Sequence, residues 1–118
     1  MKFMMLMIPA VYQGGNKVEP GFVPDPEKIA EMGRFNDEMA KALTILSLNG
    51  LHPISTGARV SFARGKPTVT DGPFIETKEV LGGYWLVEAK SKDEVMKWAQ
   101  RCPADDGDVI EIRQIFEL

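Results

Sequence analysis

Apolar positions along the chain switch between two periods, and the switches mark its elements. Phe3 to Ile8 is apolar at almost every position, the pattern of a strand covered on both faces. Pro9 to Pro24 holds Gly14-Gly15 and Pro20-Gly21 with little periodicity, which predicts a long loop anchored by Tyr12 and Phe22. Asp25-Pro26-Glu27 then supplies an N-cap, a proline for the first helical position and an acid where the helix dipole is positive. From there Ile29, Met32, Phe35 or Asn36, Met39, Leu43 and Leu46 recur every three or four residues. That spacing predicts a helix with one buried face, running to a glycine stop at Asn49-Gly50. Asp37 and Lys41 make an outward i, i+4 pair on it.

The second half reads mainly in period two. Val60 and Phe62 alternate with Arg59 and Ser61, and Arg64-Gly65-Lys66-Pro67 turns the chain into Thr68-Val69-Thr70, predicting a hairpin that delivers Asp71 at a strand end. Leu81 to Ala89 is a further strand, with Trp85, Val87 and Ala89 on one side and Tyr84 and Leu86 on the other; Gly82-Gly83 at its entrance allows a bulge or a close backbone approach. Ser91-Lys92-Asp93-Glu94 matches a capping box, and Val95, Trp98, Ala99 and Cys102 trace a helical stripe that Pro103 ends. A last strand places Ile110, Ile112, Phe116 and Leu118 on one face.

In order, strand, helix, strand, strand, helix, strand give an α+β chain with the split βαβ pattern of the ferredoxin-like fold: a four-stranded antiparallel sheet with both helices on one face. At 118 residues the chain fits a single domain, residues 1–118. Two helices cannot cover both sheet faces. The other face is apolar at Leu86 and the first-strand methionines, which predicts a homodimer with sheets face to face, a dimeric α/β barrel.

Composition narrows the partners. A net charge of −3 with no basic run argues against a grip on nucleic acid or an anionic membrane. The apolar start, Met1 to Ala10, lacks a small-residue cleavage pattern and is far shorter than a membrane span. The single cysteine, Cys102, excludes an internal disulfide framework and a multi-thiolate metal site and suits the cytoplasm. Its place at a helix C-terminus disfavours the thiolate, so it reads as inert. With one histidine, no phosphate loop between strand and helix and no nucleophile elbow, the sequence points to neither a metal nor a cofactor.

The densest chemistry lies in Asp71-Gly72-Pro73-Phe74-Ile75-Glu76-Thr77-Lys78-Glu79. An aspartate opening a turn usually accepts from the N–H two residues on, but that residue is Pro73, which has none. Asp71 must bond further along, to the amide of Phe74 or Ile75, or keep its carboxylate for another task. Glu76, Lys78 and Glu79 add a charged cluster able to hold a carboxylate ionised or to position an anionic or carbonyl substrate.

Thr70-Asp71-Gly72-Pro73-Phe74, Glu76-Thr77-Lys78-Glu79 and Leu81-Gly82-Gly83-Tyr84, with Lys2-Phe3-Met4, the Gly50-Leu51 turn and the terminal strand, resemble the DGPF-domain proteins of the YCII-related group over nearly the whole chain. The resemblance implies a ferredoxin-like subunit in a dimeric α/β barrel. It also implies an enzymatic cleft with a His–Asp pair, and for some members a link to extracytoplasmic-function sigma factors. The aspartate of that pair falls on Asp71. The histidine, on the first helix in the wider group, has no counterpart; Asn36 is nearest, and the one histidine, His52, follows the helix. An amide is no general base at neutral pH.

The candidate site is therefore Asp71 as the proton-moving residue, with Asn36, His52, Glu76, Lys78 and Glu79 binding substrate. Two function classes follow: a cofactor-independent small-molecule enzyme using Asp71 in a dimer-lined cleft, or a non-catalytic module binding a small ligand or a regulatory protein. An enclosed pocket around Asp71 favours the first and a flat polar surface the second.

Overall fold

Phe3 and Met5 are essentially sealed from solvent, as are Met39, Val87 and Val95, and together they define the layer where sheet meets helices. In the computed structural model, which describes residues 1–12, 21–72 and 80–118, β1 (Lys2–Ile8), β2 (Thr44–Gly50), β5 (Gly83–Glu88) and β6 (Val109–Gln114) form one antiparallel sheet in the order β2-β5-β1-β6. The helices α1 (Pro26–Ala42) and α2 (Lys92–Ala99) bury Phe35, Met39 and Val95 against it. This is the ferredoxin-like α+β arrangement the sequence predicts. Register aligns the helix-side row Ile45, Val87 and Phe3, and the next row Leu48, Trp85, Met5 and Ile112. Phe35 meets Trp85 edge-on at 6.2 Å between ring centroids, a favoured aromatic geometry.

The local signals at both helix starts hold. Asp25 Oδ1 accepts from the Glu27 N–H at 2.9 Å with Pro26 in the first turn, and Ser91 Oγ accepts from the Glu94 N–H at 3.2 Å. The first helix does not run to Gly50. It stops at Ala42, Leu43 turns extended at φ −117° and ψ 159°, and Thr44–Gly50 becomes the edge strand β2. Leu43 and Leu46 fit a helical stripe, but Thr44 and Ile45 are β-branched and favour a strand, and the edge of β5 supplies their pairing. Ile29 and Leu46, expected in the core, are exposed. Lys41 pairs with Glu38 at 3.1 Å rather than with Asp37.

The hairpin forms as predicted from β3 (Ala58–Ala63) and β4 (Lys66–Asp71), but as a separate two-stranded sheet outside the four-stranded one. It projects. The radius of gyration is 15.8 Å, against about 13.5 Å for a compact chain of this length. The last strand ends at Gln114; Phe116 and Leu118, expected on its buried face, are exposed.

Candidate functional site

Met7, Gly50 and Gly83 lie where β1 and β2 end and β5 begins, and α1 crosses above this end of the sheet through Met32 and Asn36. Between them is a cleft of about 130 Å³, walled mainly by Met7, Met32, Asn36, Leu48, Gly82 and Trp85. It adjoins a wider chamber of about 460 Å³ that shares Met7, Met32 and Gly82 and is lined by Pro9, Val11, Tyr12, Phe22 and Pro24, with Asp25, Lys28, Asp105 and Asp108 at its rim. The sequence supplies a reason for the opening at Gly82. A Cβ there would strike the Pro9 ring and lie 3.3 Å from Tyr12 Cδ2, so the strand entrance can approach the chamber wall only as glycine. The Gly82 backbone is itself tied on both sides, its N–H donating to Met7 at 2.8 Å and its carbonyl accepting from Leu51 at 2.9 Å.

Asn36 is the polar group set into this apolar wall. Its Oδ1 accepts from the Trp85 Nε1–H at 2.8 Å. An indole only donates, so this bond fixes the amide orientation, and among the described residues Nδ2 has no partner. Tyr12 closes the chamber, with its hydroxyl donating to the Leu51 carbonyl at 3.0 Å and its ring edge-on to Phe22 at 6.1 Å. Partial burial raises its pKa above the usual phenol value. The rim acids are already engaged. Lys28 Nζ contacts Asp105 at 2.6 Å, while Asp108 accepts from the Ala10 and Asp105 amides, each at 2.8 Å. The Lys28 pKa is raised, first by that hydrogen bond to Asp105.

Tyr84 serves the other face of the sheet. Its hydroxyl lies 3.0 Å from Ser47 Oγ and 3.0 Å from Asn49 Nδ2. These contacts, Ser47 first, lower its pKa, because hydrogen bonds to the oxygen favour the phenolate. Cys102 packs half-buried beside Met32, and burial, then the nearby Asp108 charge, pushes its thiol up to about 11.

Of the described residues selected from sequence, Asn36 lines the cleft and His52 and Asp71 do not. His52 is exposed just beyond β2, and Asp71 is exposed at the end of β4, opposite Ala58. Neither lines the cleft or the chamber. Glu76, Lys78 and Glu79, and the amides of Phe74 and Ile75, lie outside the described residues. The glycine after Asp71 is structurally required: its N–H donates to Gly57 at 2.7 Å, and a Cβ there would run into the Ile54 carbonyl oxygen. Sequence reasoning missed Trp85 and Met32 as cleft residues, since each reads as plain core. Among the described residues, no three His, Cys, Asp or Glu side chains converge as a metal site, and no helix is long and apolar enough to cross a membrane.

Residues 1–118 match the family model of the YCII-related domain. An uncharacterised protein of Rhizobium meliloti (strain 1021) is 40% identical over 50 residues, which are 42% of this chain and 40% of that protein. The matched stretch thus spans about two fifths of that curated relative.

Proposed function

The chain belongs to the YCII-related family, and from that premise and the cleft geometry we propose that it binds a small organic molecule between α1 and the sheet. The observation that carries the reading is the Trp85–Asn36 bond of 2.8 Å. It consumes the amide oxygen and leaves Nδ2 as a fixed donor in an otherwise apolar wall, the arrangement that orients a ligand through one acceptor, such as a carbonyl. The adjoining chamber with Tyr12 and Phe22 suits the apolar remainder of the ligand.

Chemistry at this site needs a proton-moving group, and Asp71 is the candidate, in a cofactor-independent reaction. It stands outside the cleft of its own chain, so a catalytic role requires a second copy or a ligand large enough to reach it. A homodimer through the open sheet face, with Met4, Leu6 and Leu86 at its centre, is part of this reading, as is a cytoplasmic setting for the single free thiol. The exposure of His52 and Asp71 favours a second reading, a non-catalytic ligand-binding module or one that contacts a regulatory protein such as a sigma-factor partner.

A thermal-shift screen of small carbonyl compounds on wild type, Asn36→Leu and Asp71→Asn separates these. Ligands that raise the wild-type midpoint lose their effect in Asn36→Leu. Loss of turnover with retained binding in Asp71→Asn identifies an enzyme; equal ligand responses in wild type and Asn36→Leu sink the cleft as the site.

A further inference from the structure

The cleft and the chamber are unequal rooms of one cavity. They share Met7, Met32 and Gly82, so a bound molecule can run from one into the other past two thioether side chains, which adapt to irregular apolar shapes. At about 30 Å³ for each non-hydrogen atom, the share of a water molecule in the liquid, the cleft's 130 Å³ takes on the order of four such atoms. The chamber's 460 Å³ takes about fifteen.

Their polar groups differ as well. No charged side chain is among the described residues that line the cleft. Asn49 Nδ2 donates to the Tyr84 hydroxyl at 3.0 Å and the Asn36 oxygen is taken by Trp85, so Asn36 Nδ2 is the side-chain donor left facing a ligand. That donor is neutral. An ionised carboxylate placed against it would lose its water and gain no countercharge. At the chamber, Lys28 is the one basic side chain among the described lining residues, and Asp105 holds it at 2.6 Å. Asp25 and Asp108 add negative charge to the same rim, which repels an approaching anion. Deeper in, the wall is formed by Pro9, Val11, Tyr12 and Phe22.

We propose that the ligand is a neutral carbonyl compound with a compact head and a long apolar tail, the head in the cleft on Asn36 Nδ2 and the tail along the chamber, and that anionic acids of the same length are rejected. This rests on the cleft as the binding site and goes further, since it sets the ligand's charge, head size and tail length. The sequence leaves anionic and carbonyl substrates both open; the two cavities favour the carbonyl. A methyl ketone fits the division of space: its methyl, carbonyl carbon, oxygen and first methylene fill the cleft, and the rest of the chain buries apolar surface in the chamber.

Isothermal titration calorimetry on the full chain tests it, with methyl n-alkyl ketones from butanone to methyl decyl ketone and n-alkanoates of matching length at neutral pH. Ketone affinity rises about two- to fourfold per methylene, and each alkanoate binds at least about tenfold more weakly than its ketone. Val11→Trp fills the chamber and stops the rise several methylenes earlier. Asn36→Asp keeps an oxygen for the Trp85 N–H while replacing the donor, and it weakens ketone binding about tenfold; circular dichroism checks its fold. Binding that depends on Asn36 but ignores chain length, or that alkanoates match, overturns the inference and leaves the cleft as the site. Ketones that bind Asn36→Asp as tightly as wild type overturn both. If wild type binds no ketone the inference also falls, and the cleft is then judged by the thermal-shift response of Asn36→Leu to other compounds.

Discussion

The Trp85 indole N–H donates to Asn36 Oδ1 across 2.8 Å, joining the centre of β5 to the middle of α1 and turning a core tryptophan into one wall of a cleft. Asn36→Leu removes the acceptor and strands a part-buried donor, at a cost of about 1–3 kcal/mol. Trp85→Phe loses the same bond, together with packing against Phe35. A double-mutant cycle by urea unfolding is expected to give a coupling of about 0.5–1.5 kcal/mol between the two sites. Additive single effects would mean that the bond contributes nothing to stability.

Glycines of this chain differ in what they protect. Gly82→Ala drives a Cβ into the rigid Pro9 ring and against Tyr12, so it should cost about 1–3 kcal/mol and reshape the chamber. Gly65→Ala meets no atom within 4 Å and is opposed only by its φ of +75°, a penalty of about 1–2 kcal/mol confined to the turn. Ligand-induced thermal shifts should fall in Gly82→Ala and persist in Gly65→Ala. Persistence in both would detach the chamber from binding.

The parts of the fold legible in sequence are those whose period admits one reading. Val87 and Trp85 alternate with Leu86 and Tyr84, and Asp25 and Ser91 announce helix starts by hydrogen bonds made within three residues. Leu43 to Leu48 reads from spacing as the end of the first helix, and it is a strand from Thr44. Its leucines fit a helical stripe, and what made it a strand was pairing to β5, Ile45 with Val87 and Leu48 with Trp85, a long-range contact invisible to local spacing. The same limit governs the site. Asn36 stood out as a polar residue on a buried stripe, whereas its partner lies 49 residues away. Asp71 and His52 stood out through local turn chemistry, which says nothing of where an arm projects.

Cys102 gives the molecule an alkaline stability limit. Its thiol is held near 11, above its ordinary 9.0, chiefly by desolvation. Below about pH 9 the thiol is protonated in both folded and unfolded chains. Between about 9 and 11 the unfolded chain alone releases the proton, so stability falls with rising pH. Allowing for partial exposure, wild type should lose about 1–2 kcal/mol more than Cys102→Ala across that window. Urea midpoints at pH 8, 9, 10 and 11 measure the difference, which removes the contributions of tyrosines and lysines common to both. Identical pH profiles would place Cys102 in water.

The burial of α1 makes the sharpest stability prediction, because two of its apolar residues looked alike in sequence. Met39 is completely buried among Phe35, Leu43 and the sheet, whereas Ile29 is 52% exposed. Met39→Ala should cost about 2–5 kcal/mol through lost burial and an unfilled cavity. Ile29→Ala should stay within about 0.5 kcal/mol of wild type, the ordinary range for a surface change. Chemical denaturation of the two single variants decides it. A large loss at Ile29 would mean that the first turn of α1 packs against something outside this chain, whereas a small loss at Met39 would contradict its position beneath the helix.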